Sequence, residues 1–280
     1  VAAKILTVVS LLLVLTLITY DCAIFESFYL RTYSSCSSAG TVAYVFGHPE
    51  SRSTIYLMDL SDGVERETGH DADDVCWFND SERLLVEERD YFSIYEITTD
   101  SLTPLPVMDG TAASIHASDE LVAYEDDCYL TVYSIPEEEV VYRYDFFCLQ
   151  PDWNPQGNEV VFVNESFGLG VYDYDTGGVR ELNVEPEVSY PVWSPDGKCI
   201  AYNRPFYSDV FKGTVCVYDL ESETEAKLVE GAYPEWTPDG GSLIFAKSGP
   251  SRDGRIVSQL YAYELATGNI FQLTHWPEFF

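Results

Sequence analysis

Residues 193–203 read WSPDGKCIAYN, and TVCVYDL follows at 214–220. This text holds a Trp, a tight turn and two apolar strands. Pro195 pre-sets φ for a first turn position, while Asp196-Gly197 supply a side-chain acceptor and a residue free to take φ > 0. The alternation of Ile200 and Tyr202, then Val215 and Val217, has the two-residue period of half-buried strands. The same text returns as WTPDGGSLIFAK at 236–247, with Pro238 and Asp239-Gly240 in the turn. Looser copies are WNPQGNEVVFVN at 153–164, with Pro155, WFNDSERLLVEE at 77–88 and HASDELVAYED at 116–126. In the last, His116 is expected to fill the place of Trp77, Trp153, Trp193 and Trp236.

A second series runs in step with the first. An apolar residue, an aromatic or Met, an acidic residue or Ser, and another apolar residue recur at Met58-Asp59, Tyr95-Glu96, Tyr133-Ser134, Tyr172-Asp173, Tyr218-Asp219 and Tyr263-Glu264. Successive copies stand roughly 37 to 46 residues apart, the period of a four-stranded propeller blade. No stretch after residue 35 sustains a 3.6-residue apolar period. The expectation is an all-β, six-bladed propeller preceded by a single N-terminal hydrophobic α-helix.

These residues resemble the WD40-like repeat of TolB-type six-bladed β-propellers, in which a W-S-P-D-G-K-x-I-A-[FY] hairpin precedes an I-Y-[VL]-x-D-L strand. The resemblance covers residues 41–280. True WD40 blades end in Trp-Asp, absent here, and sialidase Asp-boxes place an aromatic after the Gly. The resemblance implies a module that scaffolds protein contacts through a central funnel and blade rims.

The chain enters its first repeat without a Trp strand, at TVAYVFG and TIYLMDL, and ends in LTHWPEFF. Residues Pro277 to Phe280 are therefore expected to supply the missing first strand of blade one, because closure removes exposed edges. The domain reading is a hydrophobic helix at 1–30, a neck linker at 31–40 and the propeller at 41–280.

Ile5 to Tyr20 form an uninterrupted apolar or hydroxylic run that, with Asp21 tolerated at the interface, continues to Phe25. This is close to the roughly 20 residues of a spanning helix. Lys4 precedes the run while Asp21 and Glu26 follow it, so the positive-inside rule puts the N-terminus in the cytoplasm and the propeller in the periplasm or outside the cell. A cleaved secretory signal is the rival, but no Ala-x-Ala site follows. Thr-Tyr-Asp before Cys22 does not fit a lipoprotein box. Ala2, Ala3, Thr7, Ser10 and Thr16 would permit close helix approach, so this segment is expected to dock on other helices of a membrane complex or polymer. The net charge of -32 repels nucleic acid and anionic lipid, and suits a soluble surface in a salty or cation-rich medium.

Of the seven cysteines, Cys199 and Cys216 lie on neighbouring strands and are a candidate disulfide, as are Cys128 with Cys148 and Cys22 with Cys36. The alternative is small buried hydrophobes. No C-x-x-C supports zinc or haem. The four histidines, His48, His70, His116 and His275, have no partner at catalytic spacing. There is no G-x-S-x-G, so a likeness to the propellers of prolyl-oligopeptidase-type peptidases stops short of their hydrolase domain; H-E-x-x-H and P-loop motifs are absent too. Asp71, Asp73 and Asp74, and the run Glu125-Asp126-Asp127, could hold Ca²⁺ but lack an EF-hand's Gly and distal Glu, and read first as surface turns. Otherwise no cofactor is expected. Asn79 and Asn164 head sequons and are glycosylation candidates.

The function expected is a non-catalytic, membrane-anchored, extracytoplasmic binding or scaffold module, a subunit of a larger assembly with protein partners at helix and propeller face. One alternative is a pilin-like filament subunit, a reading to which the first residue, Val1, also lends itself. The other is a funnel-site enzyme of glycosidase or lyase type, for which the sequence places no acid/base pair.

Overall fold

The structure, a computed structural model, describes residues 34–37, 39–47, 53–89, 91–106, 110–205, 213–250 and 256–274. They form six four-stranded antiparallel sheets. Blade 1 is β1 (Ser34–Cys36), β2 (Thr41–Gly47), β3 (Ser53–Asp59) and β4 (Glu65–Asp71). Blade 2 is β5 (Asp74–Trp77), β6 (Arg83–Glu88), β7 (Tyr91–Glu96) and β8 (Ser101–Pro104). Blade 3 is β9 (Thr111–Ile115), β10 (Leu121–Asp126), β11 (Tyr129–Ser134) and β12 (Glu139–Phe147). Blade 4 is β13 (Leu149–Trp153), β14 (Glu159–Val163), β15 (Leu169–Asp173) and β16 (Val179–Glu181). Blade 5 is β17 (Ser189–Trp193), β18 (Cys199–Arg204), β19 (Thr214–Asp219) and β20 (Thr224–Glu230). Blade 6 is β21 (Ala232–Trp236), β22 (Ser242–Pro250), β23 (Ile256–Glu264) and β24 (Ile270–Gln272).

The first strand of each blade touches its counterparts on both sides, β21 meeting β1, so the six inner strands ring an axis. Each repeated tetrad ends the third strand of its blade. The middle strands are apolar on both faces because both faces pack on a neighbouring blade: Val160 to Val163 on β14 are all buried. Six apolar clusters result, one per blade boundary. Trp77, Trp153, Trp193 and Trp236 are buried, each facing the preceding blade; Trp193 packs on Val161, Val163, Leu169 and Val171 of blade 4.

His116 does not occupy the Trp position of blade 3. Ile115 does, ending β9 as Trp153 ends β13. His116 aligns with Phe78, Asn154, Ser194 and Thr237, whose N–H groups all bond the residue five positions on. The turns agree, since Ser81, Asp119, Gly197 and Gly240 share one left-handed position, with φ of 59°, 62°, 68° and 67°.

Closure differs from the expectation. The place reserved for Pro277 to Phe280 is taken by β1, which pairs with β2 through Ser34↔Tyr44, Ser35↔Ala43 and Cys36↔Val42. Strand Ser34–Cys36 lies within the stretch read as a neck, and it completes blade 1 from the N-terminal side. Among the described residues no strand is exchanged between blades 1 and 6. Their boundary closes by side-chain packing of Val42, Tyr44, Phe46 and Met58 on Ile244, Ala246 and Leu260. The hydrophobic segment 1–30, Cys22, His48, His275 and the tail 277–280 lie outside the described residues. Among the described residues no helix is long and apolar enough to cross a membrane.

Candidate functional site

The inner strands of blades 3 to 6 carry a feature that their sequences do not announce. Each is bulged against the second strand, and the bulge centres on a non-glycine residue in the left-handed region: Ala112 (φ 52°), Gln150 (51°), Tyr190 (53°) and Tyr233 (54°). All four stand three residues before the Trp position. A left-handed residue with a side chain is strained by about 1–2 kcal/mol. Acceptors from the preceding blade hold three of them. Glu87 Oε2 takes the Ala112 N–H at 3.0 Å, Glu125 Oε2 the Gln150 N–H at 3.3 Å, and Gln150 Oε1 the Tyr190 N–H at 2.7 Å.

A second tier lies two residues further along. Trp153 N–H donates to Ser114 Oγ at 3.0 Å, Ser114 Oγ–H to Asp152 Oδ1 at 2.7 Å, and Trp193 N–H to Asp152 Oδ2 at 2.7 Å. Cys76 holds the equivalent place in blade 2, where its Sγ–H donates to the Trp77 carbonyl at 3.7 Å. In blade 5 the residue is Val192, which has no side-chain acceptor, and Trp236 Nε1–H bonds the Val192 carbonyl instead at 3.3 Å. In blade 6 it is Glu235.

These tiers line the channel. Cys76, Asp152 and Glu235 hold the same inner-strand place in alternate blades, and burial, then the Asp152 and Glu235 carboxylates, push the Cys76 thiol up. Burial raises Asp152 to about 6 against the two bonds that favour its charge. Glu125 is raised by burial to about 7, opposed by the Gln150 N–H. The rings of Tyr190 and Tyr233 meet edge to face at 4.4 Å, an aromatic wall shared by blades 5 and 6. A small recess beside Cys76 is lined by Asp74, Leu85, Glu87, Phe92 and Ala113. The channel wall therefore combines carboxyl, thiol and hydroxyl groups with two tyrosines. Ser114 and Asp152 form a hydroxyl–carboxylate pair there, but the hydroxyl also accepts from the Trp153 N–H and the carboxylate from the Trp193 N–H.

The other candidates fall elsewhere. Asp71 ends the outer strand of blade 1, whereas Asp73 and Asp74 begin blade 2, where Asp73 Oδ2 takes the Arg89 N–H and Asp74 Oδ1 that of Val75. No three His, Cys, Asp or Glu among the described residues converge on a metal position. Asp126 pairs with Arg143 at 3.0 Å rather than with its acidic neighbours. His70 bonds Asp100 at 3.3 Å and packs on Tyr95, joining blades 1 and 2. His116 bonds Ser118 and Asn158 and packs on Trp153, joining blades 3 and 4.

Cys199 and Cys216 are not opposite one another: Cys199 faces Asp219 and Cys216 faces Tyr202, three register steps away. Both are free thiols, as are Cys76, Cys128 and Cys148. The Asn79 amide is committed to Asp119 Oδ1 at 2.8 Å and to the His116 carbonyl at 3.3 Å, contacts a glycan would break. Among the described residues Asn164 uses its oxygen, accepting from Ser166 and Gly168 at 3.0 Å.

Compared with family models and with curated proteins, the sequence matches none. The fold has many counterparts. TolB from Acinetobacter baumannii superposes with a TM-score of 0.70 at 17% identity, over 82% of this chain and 62% of that one. This chain thus spans about three fifths of that TolB. An oligogalacturonate lyase in complex with manganese gives 0.57 at 14% identity, covering 87% and 77%. The oligogalacturonate lyase of Vibrio parahaemolyticus gives 0.57 at 11%, covering 88% and 77%. At these identities the likeness is one of fold: a TolB-like six-bladed β-propeller.

Proposed function

We propose that this propeller is a non-catalytic binding module whose axial channel receives a basic, extended segment of a partner protein. The observation that carries the reading is the ring of inner strands about the axis, on which Asp152, Glu235 and the Tyr190–Tyr233 pair all lie. Carboxylates in a confined, partly desolvated channel attract ammonium and guanidinium groups more strongly than the same charges on an open surface. Tyrosine faces add cation–π attraction. The overall charge of -32 steers a basic partner inward over longer distances. In the same proposal residues 1–30 anchor the chain in a membrane with the propeller outside, as a subunit of a larger assembly; the support is the apolar run behind Lys4.

The test separates channel from surface. A Lys/Arg-rich peptide should bind more tightly than its Glu-substituted counterpart, and Glu235→Gln with Tyr233→Ser should weaken it at least tenfold. Glu138→Gln, in an exposed turn, should not. Equal loss in both variants would reduce the effect to unspecific charge and overturn the channel reading.

An enzymatic reading is favoured by Glu125 and Asp152, whose raised values fall where an acid or base works best. Both, however, are spent on donors of neighbouring blades. Depletion of acidic oligosaccharides by the purified protein, lost in Glu125→Gln, would establish that reading.

A further inference from the structure

Two cysteines stand opposite one another where blade 3 passes into blade 4. Strands β10 and β11 are joined by a two-residue turn, Asp127 and Cys128, with φ of 50° and 67°. Such a turn favours Gly at its second position. Cys128 is held there against its own backbone preference. Pairing of β11 with β12 runs to Tyr129↔Phe147, and one step beyond, the Cys148 N–H donates to the Cys128 carbonyl at 2.8 Å. Residues opposed across an antiparallel pair have Cα atoms about 4.5–5.5 Å apart, inside the roughly 4.4–6.8 Å that a disulfide spans. Cys199 and Cys216 fail this criterion because of their register. Cys128 is partly exposed and Cys148 buried, both as thiols.

We propose that Cys128 and Cys148 form an oxidisable pair whose disulfide fastens the tip of the β10–β11 hairpin to the crossover between blades 3 and 4. Glu125 stands three residues before Cys128, and Gln150 two residues after Cys148. The bond therefore braces the Glu125 to Gln150 contact at the channel wall, whether or not the channel takes a basic segment.

The chemistry is exchange with a small disulfide such as oxidised glutathione. The Cys128 thiolate attacks one sulfur, forming a mixed disulfide and releasing one glutathione thiolate. Cys148 then loses its proton to solvent, attacks the Cys128 sulfur and expels the second glutathione. Two protein thiols are oxidised by two electrons while one small disulfide is reduced to two thiols. Burial, then the Glu125 carboxylate, hold both thiols up, so exchange runs faster at pH 9 than at pH 7.

The full chain in detergent is treated with oxidised glutathione, alkylated with iodoacetamide in denaturant and cut with trypsin. Arg143 separates the two cysteines, so peptides 90–143 and 144–180 carry one each. The expected result is that these peptides are linked and part on reduction, with the link lost in Cys128→Ser and kept in Cys199→Ser. Oxidation should also raise the melting temperature of the wild type and not of Cys128→Ser. Full alkylation of both residues after oxidation, or a link to Cys76 or Cys216 instead, would overturn the proposal. Cys128→Gly, which relieves the turn, controls for folding and must lose the link as well.

Discussion

The Trp193 backbone N–H donates to Asp152 Oδ2 at 2.7 Å, tying the inner strand of blade 5 to that of blade 4. Each partner is needed for the other's placement. The carboxylate is buried enough to be raised to about 6, and it remains in the wall because the Trp193 N–H and the Ser114 hydroxyl both require an acceptor. Burying either donor without one would cost about 1–3 kcal/mol.

Asp152 and Glu125 make stability fall as pH rises. Both are raised, to about 6 and about 7 from 3.8 and 4.5, so between those values the folded chain holds protons that the unfolded chain has released. The folding advantage is fully present below about pH 4, declines from there to about pH 7, and is level above. Urea midpoints at pH 5 and pH 8 should differ in favour of pH 5. Glu125→Gln keeps an acceptor for the Gln150 N–H and removes the buried charge, so it should gain on the order of 1–3 kcal/mol at pH 8 and nothing at pH 4.

Trp153, Trp193 and Trp236 are 3%, 4% and 6% exposed, so truncation opens a cavity between blades. Each Trp→Ala change should cost roughly 3–5 kcal/mol in chemical denaturation. Ile115→Ala in the same position of blade 3 should cost about 2–5 kcal/mol, while His116→Ala, removing only hydrogen bonds and an edge contact, should cost less than either.

Gly231 and Gly170 are closed to any side chain. A Cβ on Gly231 would lie 2.3 Å from Phe245 Cδ2 and 3.0 Å from the Ala246 carbonyl, and one on Gly170 would lie 2.5 Å from Phe162 Cζ. Gly231→Ala and Gly170→Ala should each lose about 1–3 kcal/mol through displaced rings. Gly177→Ala is the contrast: nothing lies within 4 Å, and its penalty is the backbone strain of φ 73° alone.

Blade 1 depends on its own N-terminal strand. A chain beginning at residue 39 lacks β1 and should melt several degrees below one beginning at residue 32. Equal melting temperatures, read by circular dichroism, would show that β1 adds nothing to closure.

The six-fold repeat was legible because turn chemistry and two-residue alternation are local. WSPDG states its turn outright, and every tetrad falls at the end of a third strand. What escaped is non-local or uses unremarkable residues. Ile115 carries none of the signal of a Trp, so His116 next to it drew the alignment one place too far. The three-residue strand β1 has no apolar pattern to betray it; its partner, TVAYVFG, does. Nothing in Ala112, Gln150 or Tyr190 suggests a left-handed backbone, because the strain is held by acceptors roughly 25 to 40 residues away in sequence. The sequence puts Cys199 and Cys216 on facing strands, but their register depends on how the intervening loop is absorbed, which spacing alone does not fix.

Because β1 lies at the axis, any pull transmitted through residues 1–33 enters the ring at its centre and not at its rim. The strand that meets it first has three residues and one antiparallel partner. Tension would strip β1 from β2 while β2 to β4 remained a sheet, exposing the cleft where blade 1 packs on blade 6. Among the described residues no blade boundary has a shared strand, but the chain crosses every other boundary and not this one, so it is the seam at which the ring would part, and the remaining five blades would stay whole.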